Sequence, residues 1–440
     1  ISSIDPSARH PPPLPSSVDP LLPSPSPPPR AHPPLQQPKL FVRRASAMAA
    51  RKRPAAALDA GHATTTAPQQ SPACCKRSRT KIRSTAEYEE ETRLGEGGFG
   101  CVLLARHRAT RKIVAIKYLY WPDGSQQPPN AAELLREARF LEACDGNPYV
   151  VGFEGLVRDP DNGAFGLVME YVAAPSLHKF LRNRRSGQPL PESTVRAIMW
   201  KLLTGARTMH DRHVVHRDIK PGNILVGQDG ELVKICDFGL AISMSELPPY
   251  NQAGTPFYVA PEVLLGKRDY DALVDTWSIG CVMAEMLTGK TLFLGDDDDD
   301  AADNEITQLW SIFRLLGTPD ERTWPEFTSL PHTAKALRLL PPGHKQNKLR
   351  ELFPQEKLSE HGFQVLQGLL TCNPNQRLTA ATALKHRWFA APRPAAAAPK
   401  VDALSFPKKK APRIKFIPQA MPQKNLLKIP LAVWNAAQRV

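Results

Sequence analysis

The order of residue patterns along this chain predicts an α+β fold in two unequal parts, a small antiparallel β-rich lobe followed by a larger α-helical one. Three observations carry that expectation. Short runs rich in β-branched and aromatic residues, separated by turn residues, crowd the stretch from Tyr88 to Val172. Apolar side chains recur at three- and four-residue spacing from Glu192 onward, mostly as far as Phe389. The ends lack both patterns: of 45 Pro in the sequence, 14 fall within residues 1–38, where Ser, Ala and His fill the rest. A segment so poor in burial-capable side chains cannot offset its ordering entropy. The expected division is therefore a disordered, Pro-rich then basic tail over 1–87, a folded domain over 88–389 and a basic tail over 390–440.

Within the domain, Tyr88 opens a strand that runs to Leu94 and a Gly-rich turn. Residues 101–105 and 112–117 read as antiparallel neighbours of that strand. Residues 131–144 read as a helix, because Leu134, Leu135, Ala138 and Leu141 share one face. Residues 166–172 form a further apolar strand, and 195–209, 272–287 and 306–316 are helices of the second lobe. The acidic run 296–300 lies between helices and reads as a solvated insertion. No internal repeat is present.

Charge separates the domain from its tails. The net +14 arises at the ends: residues 1–87 hold 13 Lys and Arg against 4 Asp and Glu, and 390–440 hold 10 against 1. By difference the middle carries about −4, which argues against a nucleic-acid-binding core. The tails remain candidates for an acidic surface, for nucleic acid or for an import receptor. Seven Cys at 74, 75, 101, 144, 236, 281 and 372 form an odd, scattered set that fits a reducing, intracellular compartment. No run of 18 apolar residues and no signal-peptide core precede the domain, so no membrane partner is expected. The chain opens at Ile1 and its first Met is Met48, which leaves open whether 1–47 is native sequence.

The chemistry is concentrated in His216-Arg217-Asp218-Ile219-Lys220-Pro221-Gly222-Asn223 and Asp237-Phe238-Gly239. An Asp beside a substrate hydroxyl can orient it and take its proton. Asn223 and Asp237, 5 and 19 residues after Asp218, supply hard oxygen ligands for Mg²⁺, and Lys220 offers a cation to a phosphate. Upstream, Gly95-Glu96-Gly97-Gly98-Phe99-Gly100-Cys101-Val102 fits G-x-G-x-x-G-x-V, a turn whose backbone N–H groups can approach phosphate. A dinucleotide-binding loop would open a helix; here a strand continues. Lys117, 22 residues after Gly95, is followed by a helix offering Glu133 and Glu137 as ion-pair partners. Cys236 reads as an inert packing residue rather than a reactive thiol.

Over 88–389 these motifs resemble the protein kinase superfamily, and in detail the cyclin-dependent kinases. The likeness extends to Asp237-Phe238-Gly239-Leu240-Ala241, Ala260-Pro261-Glu262-Val263-Leu264-Leu265-Gly266, Asp275-Thr276-Trp277-Ser278-Ile279-Gly280-Cys281, Phe313-Arg314-Leu315-Leu316-Gly317-Thr318-Pro319 and Asn373-Pro374-Asn375-Gln376-Arg377-Leu378-Thr379-Ala380. The resemblance implies a bilobal protein kinase fold, ATP and Mg²⁺ as cofactors and protein Ser/Thr as acceptors. It gives catalytic roles to Asp218, Lys220, Lys117 and Glu137, the last chosen over Glu133 because Arg136-Glu137 precedes an apolar stretch as in kinase helices. It places Asn223 and Asp237 on the metal and makes His216 structural. Leu94, Gly95, Glu96, Gly97, Gly98, Phe99, Gly100, Cys101 and Val102 would cover the nucleotide. Ala115 and Leu225, with Val102, would sandwich the adenine; Glu170 and Val172 would offer it backbone bonds, and Met169 would back the pocket.

Four departures from the cyclin-dependent kinase pattern bear on regulation. Ala131-Ala132-Glu133-Leu134-Leu135-Arg136-Glu137 replaces the PSTAIRE-like stretch, which leaves a cyclin or cyclin-like activator open as a partner. Gly98-Phe99 stands where the family has an inhibitory Thr-Tyr pair. Tyr250 occupies the place of the activating threonine, with Ser243 and Ser245 as nearby alternatives; of three phosphate-clamping arginines, Arg136 and Arg217 remain and Ile242 replaces the third. Gly254 takes the left-handed position of the segment, but Val259 replaces the arginine that favours Pro after the target residue. The leading expectation is an active Ser/Thr kinase acting in cell-cycle or transcription control, the alternative a pseudokinase or scaffold. Arg51-Lys52-Arg53-Pro54, Lys76-Arg77-Ser78-Arg79-Thr80-Lys81 and Pro407-Lys408-Lys409-Lys410-Ala411-Pro412-Arg413 resemble nuclear import signals, so nuclear or cytoplasmic residence is expected.

Overall fold

A computed structural model describes residues 82–97, 100–120, 129–184, 188–228, 230–294, 304–339 and 346–390. Gly98, Phe99, the acidic run 296–300 and the basic clusters of both tails lie outside the described residues.

The first lobe is one six-stranded sheet. Its strands are β1 (Ile82–Ser84), β2 (Tyr88–Gly97), β3 (Gly100–His107), β4 (Ile113–Leu119), β5 (Phe153–Arg158) and β6 (Phe165–Glu170), in the order β1-β5-β6-β4-β3-β2. All neighbours are antiparallel except β1, which runs parallel to β5. Among the described residues the sheet thus includes a strand that precedes the expected boundary at Tyr88; three residues carry no periodicity, and the partner strand lies about seventy residues away. Helix α1 (Ala132–Ala143) buries Leu134, Glu137, Ala138, Phe140 and Leu141 against the lobe.

Register decides which side chains face the cleft. Val102 pairs with Lys117, Leu104 with Ala115, and Ala115 with Met169. Because side chains alternate along a strand, Val102, Ala115, Lys117 and Met169 share one sheet face. Cys101 has the opposite parity and lies with Ala105 and Tyr118 on the outer face. Any part it takes in covering a nucleotide would be through its backbone. Gly100 is required by packing, since a Cβ there would meet the Tyr118 carbonyl oxygen at 1.9 Å.

The second lobe contains α2 (Leu177–Asn183), α3 (Glu192–Asp211), α4 (Pro261–Leu264), α5 (Leu273–Thr288), α6 (Asn304–Leu316), α7 (Thr333–Leu339), α8 (Leu349–Leu352), α9 (Glu360–Leu369) and α10 (Ala380–Leu384). Helix α5 is its axis: every residue from Val274 to Leu287 is buried. Two small antiparallel pairs sit where the lobes meet, β7 (Val214–Val215) with β10 (Ile242–Ser243) and β8 (Ile224–Val226) with β9 (Val233–Ile235). They hold the loop 216–223 and the loop 236–241 side by side. Among the described residues no helix is long and apolar enough to cross a membrane.

Candidate active site

Asp275, fully buried at the start of α5, fixes the backbone of the loop that carries Asp218. Its carboxylate accepts the N–H groups of His216 at 2.9 Å and Arg217 at 2.8 Å, and binds the His210 ring at 2.9 Å. This holds Arg217 at φ 67°, a left-handed conformation costly for any residue with a Cβ. Burial alone would raise the Asp275 pKa, yet the His210 bond and neighbouring charges hold it below the ordinary aspartate value. His216 is packed inside, as expected for a structural histidine: Nδ1 accepts from the Asp218 N–H at 3.2 Å and Nε2 donates to the Cys236 carbonyl at 3.1 Å. Its ring meets Phe238 edge-on at 4.8 Å, so the two loops are pinned together.

Around Asp218 four donors converge. Oδ2 accepts from Asn223 Nδ2 at 3.0 Å and Lys220 Nζ at 2.9 Å. Oδ1 accepts from Thr255 N at 3.0 Å and Thr255 Oγ1 at 2.7 Å, and Lys220 Nζ also donates to Thr255 Oγ1 at 2.7 Å. The carboxylate is thereby oriented and kept next to a hydroxyl. Thr255 was not singled out from the sequence; its place ahead of Pro256, where a 3₁₀ turn starts, is the one local signal.

The second constellation spans the lobes. Lys117 Nζ lies 3.0 and 2.8 Å from the two Glu137 oxygens and 2.8 Å from Asp237 Oδ1. Glu133, the competing partner, is exposed one turn away. Burial would lower the Lys117 pKa, but the carboxylates of Glu137 and Asp237 outweigh it and raise it. Asp237 responds in the opposite sense: burial pushes its pKa up, the Lys117 charge pulls it down further, and the net value is lowered. Asp237 sits at φ 66°, which turns its side chain toward the cleft while Phe238 remains buried.

The donor set suits a hard divalent cation. Asn223 commits Nδ2 to the Asp218 carbonyl and carboxylate, leaving its amide oxygen, and Asp237 keeps one carboxylate oxygen beyond the one bound to Lys117. No cluster of three or more His, Cys, Asp or Glu that could hold a metal occurs among the described residues. Asn223 and Asp237 would therefore need oxygen atoms from a phosphate ligand or water to complete a shell.

The remaining expected residues frame a slot under the sheet. Met169 is buried at its back, and Val102, Val172 and Leu225 are half-buried and packed on the main core. Glu170 donates its N–H to the Gly152 carbonyl at 2.9 Å, so only its own carbonyl is available to a base. Its side chain is spent elsewhere, accepting from Gly152 N at 2.9 Å and pairing with Lys234 at 2.9 Å. The Val172 carbonyl accepts from Ala174 N–H at 2.8 Å, while the Val172 N–H has no partner among the described residues. In the loop, Gly95 has open space above it and Glu96 is tied to Tyr120 and Arg93, both at 2.5 Å. Leu94 is partly exposed at the end of the slot.

The regulatory positions are arranged differently from expectation. Tyr250 is buried, its hydroxyl donating to the Glu246 carbonyl at 2.7 Å, so it is not presented for modification. Ser243 lies within β10 and its Oγ accepts from Ser245 N, while Ser245 is exposed. Gly254 adopts φ +115°, with Val259 packed on the same spot.

A lysine held by a helix glutamate, an aspartate turned into the cleft and a carboxylate steered at a hydroxyl make a site of the protein kinase type. A protein kinase domain model matches residues 88–389, and the chain belongs to the protein kinase superfamily. It is 44% identical over 310 residues to a protein of Oryza sativa subsp. japonica bearing the provisional name cyclin-dependent kinase F-2, a match covering 69% of this chain and 89% of that protein. It is 37% identical over 308 residues to cyclin-dependent kinase 20 of Homo sapiens, covering 69% and 83%. Cyclin-dependent kinase G1 of Arabidopsis thaliana is 39% identical over 319 residues; there the match covers 70% of this chain and 49% of the relative, about half its length. Within the superfamily the chain is cyclin-dependent-kinase-like.

Proposed function

We propose that this chain is a catalytically competent Ser/Thr protein kinase that transfers the γ-phosphate of ATP to protein hydroxyls. The observation that supports it most directly is the Asp218 carboxylate, held by Asn223 and Lys220 and bonded at 2.7 Å to the hydroxyl of Thr255. A substrate hydroxyl brought to the same carboxylate would be oriented and would lose its proton to it. Lys220, already beside both groups, would follow the transferring phosphate. Lys117 would clamp the other phosphates, kept in place by Glu137. Bound Mg²⁺, held by Asn223 and Asp237, would neutralise charge on the phosphates. Replacing Asp218 by Asn should lower kcat by about 10²- to 10⁴-fold with ATP affinity nearly unchanged. A loss below about tenfold would remove Asp218 from that role.

Two finer readings belong with it. With Val259 in place of an arginine and Gly254 free to turn, the preference for Pro after the phosphorylated residue is weakened; absolute dependence on Pro across a peptide array would count against this. The basic clusters at 51–54, 76–81 and 407–413 direct the protein to the nucleus, where substrates in cell-cycle or transcription control would be met. A fluorescent fusion confined to the cytoplasm would exclude that. Whether a cyclin-like subunit stimulates turnover is read by assaying the chain with and without candidate cyclins.

A further inference from the structure

The segment from Asp237 to Glu262 must lie in one place for Thr255 to reach Asp218, and the structure shows what holds it. Arg217, the residue before Asp218, donates from Nε to the Leu240 carbonyl at 2.7 Å. Its Nη1 donates to the Asn251 carbonyl at 2.9 Å and to the Tyr270 hydroxyl at 2.8 Å. Tyr270 in turn donates its own hydroxyl proton to the same Asn251 carbonyl at 2.6 Å. One guanidinium and one phenol thus grip the segment near its start and near its middle.

Tyr250 adds the next anchor. It is 8% exposed, its N–H donates to the Arg268 carbonyl at 2.8 Å, and its ring lies 5.4 Å from that of Tyr270. Downstream, Gly254 packs so closely on the Arg217 carbonyl that a Cβ would come within 2.6 Å of the oxygen. Thr255 follows and binds Asp218. Consecutive residues therefore hold the segment at two points, Arg217 at Asn251 and Asp218 at Thr255. The Arg217 acceptors are two carbonyls and a phenol, all neutral. A phosphate on Tyr250 would have to break its bond to Glu246 and leave a buried site.

We propose that Tyr250 and Tyr270 are positioning residues for phosphoryl transfer, holding the activation segment against Asp218 through neutral contacts so that it needs no phosphate of its own. This rests on the kinase reading above. The competing source of order is a phosphate on Ser243 or Ser245, drawn to Arg136, whose guanidinium lies over the Phe140 ring at 5.6 Å and forms no ion pair among the described residues.

The test uses the full chain, with and without exhaustive treatment by a broad protein phosphatase. Turnover on myelin basic protein should agree between the two samples within about twofold, well inside the tenfold that 1.4 kcal/mol represents. Tyr270→Phe, which removes one donor and one acceptor, should lower kcat about tenfold while leaving KM for ATP and the melting temperature nearly unchanged. Hydrogen exchange over residues 250–255, measured on the phosphatase-treated Asp218→Asn protein, which cannot rephosphorylate itself, should stay slow. Loss of that protection on dephosphorylation, a fall in kcat of more than about tenfold after phosphatase, or an unimpaired Tyr270→Phe would each overturn the proposal. Absence of turnover in every sample would sink the kinase reading instead, and exchange would still decide whether the segment is held without phosphate.

Discussion

Two ion-pair centres, one at the base of the activation segment and one in the cleft, use the same chemistry to opposite ends. Arg377 and Glu262 are 0% and 1% exposed and meet through two bonds of 2.7 Å. Arg377 spends its other donors on the carbonyls of Thr371, Leu273 and Cys372, and its guanidinium covers the Trp277 ring at 5.2 Å. All five N–H groups are used. At Lys117 the balance is reversed: one ammonium serves two carboxylates, Glu137 and Asp237, and the site carries net negative charge. A saturated buried pair can only hold the fold. An unsaturated one has affinity left for a cation and for the phosphates that travel with it.

That contrast is open to direct attack. Glu262→Gln leaves Arg377 buried without its counter-charge, and the expected cost is about 3–5 kcal/mol. Thermal melts should show a fall of roughly 10 °C; a shift of only a degree or two would mean that the pair is not what ties the segment to the lobe. Lys117→Met should do the reverse, lowering turnover about 10²- to 10³-fold while the melting temperature moves much less, because the Asp237 carboxylate is half exposed to water and the buried Glu137, whose pKa burial already raises, can take up a proton, which Arg377 cannot lose. A large stability loss in that variant would erase the distinction between the two centres.

Asp275 stands between them, since it is buried like Glu262 but acts on the loop that carries Asp218. Its folded pKa is depressed below the ordinary 3.8, so its contribution is fully present above about pH 4 and disappears as pH falls through the lower folded value. Melting temperatures measured between about pH 3 and pH 7 should therefore drop at the acid end. Asp275→Asn should lose about 1–3 kcal/mol at neutral pH and show a flatter acid limb. An acid limb identical to wild type would show that Asp275 is not the group being titrated.

Much of the cleft was legible because its residues sit in short motifs of fixed spacing that resemble those of kinases. The register of β3 and β4 then puts Val102, Ala115 and Lys117 on one face, and α1 brings Glu137 to the ammonium where helical spacing alone left Glu133 as its equal. What was hidden depends on contacts between distant parts of the chain. Strand β1 finds its partner only in three dimensions, and β7 to β10 are too short to carry a period. Thr255 gains its role from Asp218, 37 residues earlier. Tyr250 looked like a modification site in one dimension, and only its packing on Tyr270 shows it as a support. Cys101 belongs to the same loop motif, but the register of β3 turns its side chain to the face opposite Val102.

Cys236 offers the smallest but cleanest measurement on the comparison. It sits next to Asp237 in the sequence, so proximity to the unsaturated acid cluster is not in doubt. Burial and the Asp237 charge push its thiol pKa up to about 12, which leaves almost no thiolate at neutral pH. Iodoacetamide at neutral pH should therefore leave both the thiol and the activity intact, and Cys236→Ala should change turnover by less than about twofold, a few tenths of a kcal/mol. Rapid alkylation that abolishes activity would mean that the cluster draws its neighbours into reactivity. In that case the line between groups that merely pack and groups with charge left to share would have to be redrawn at this residue.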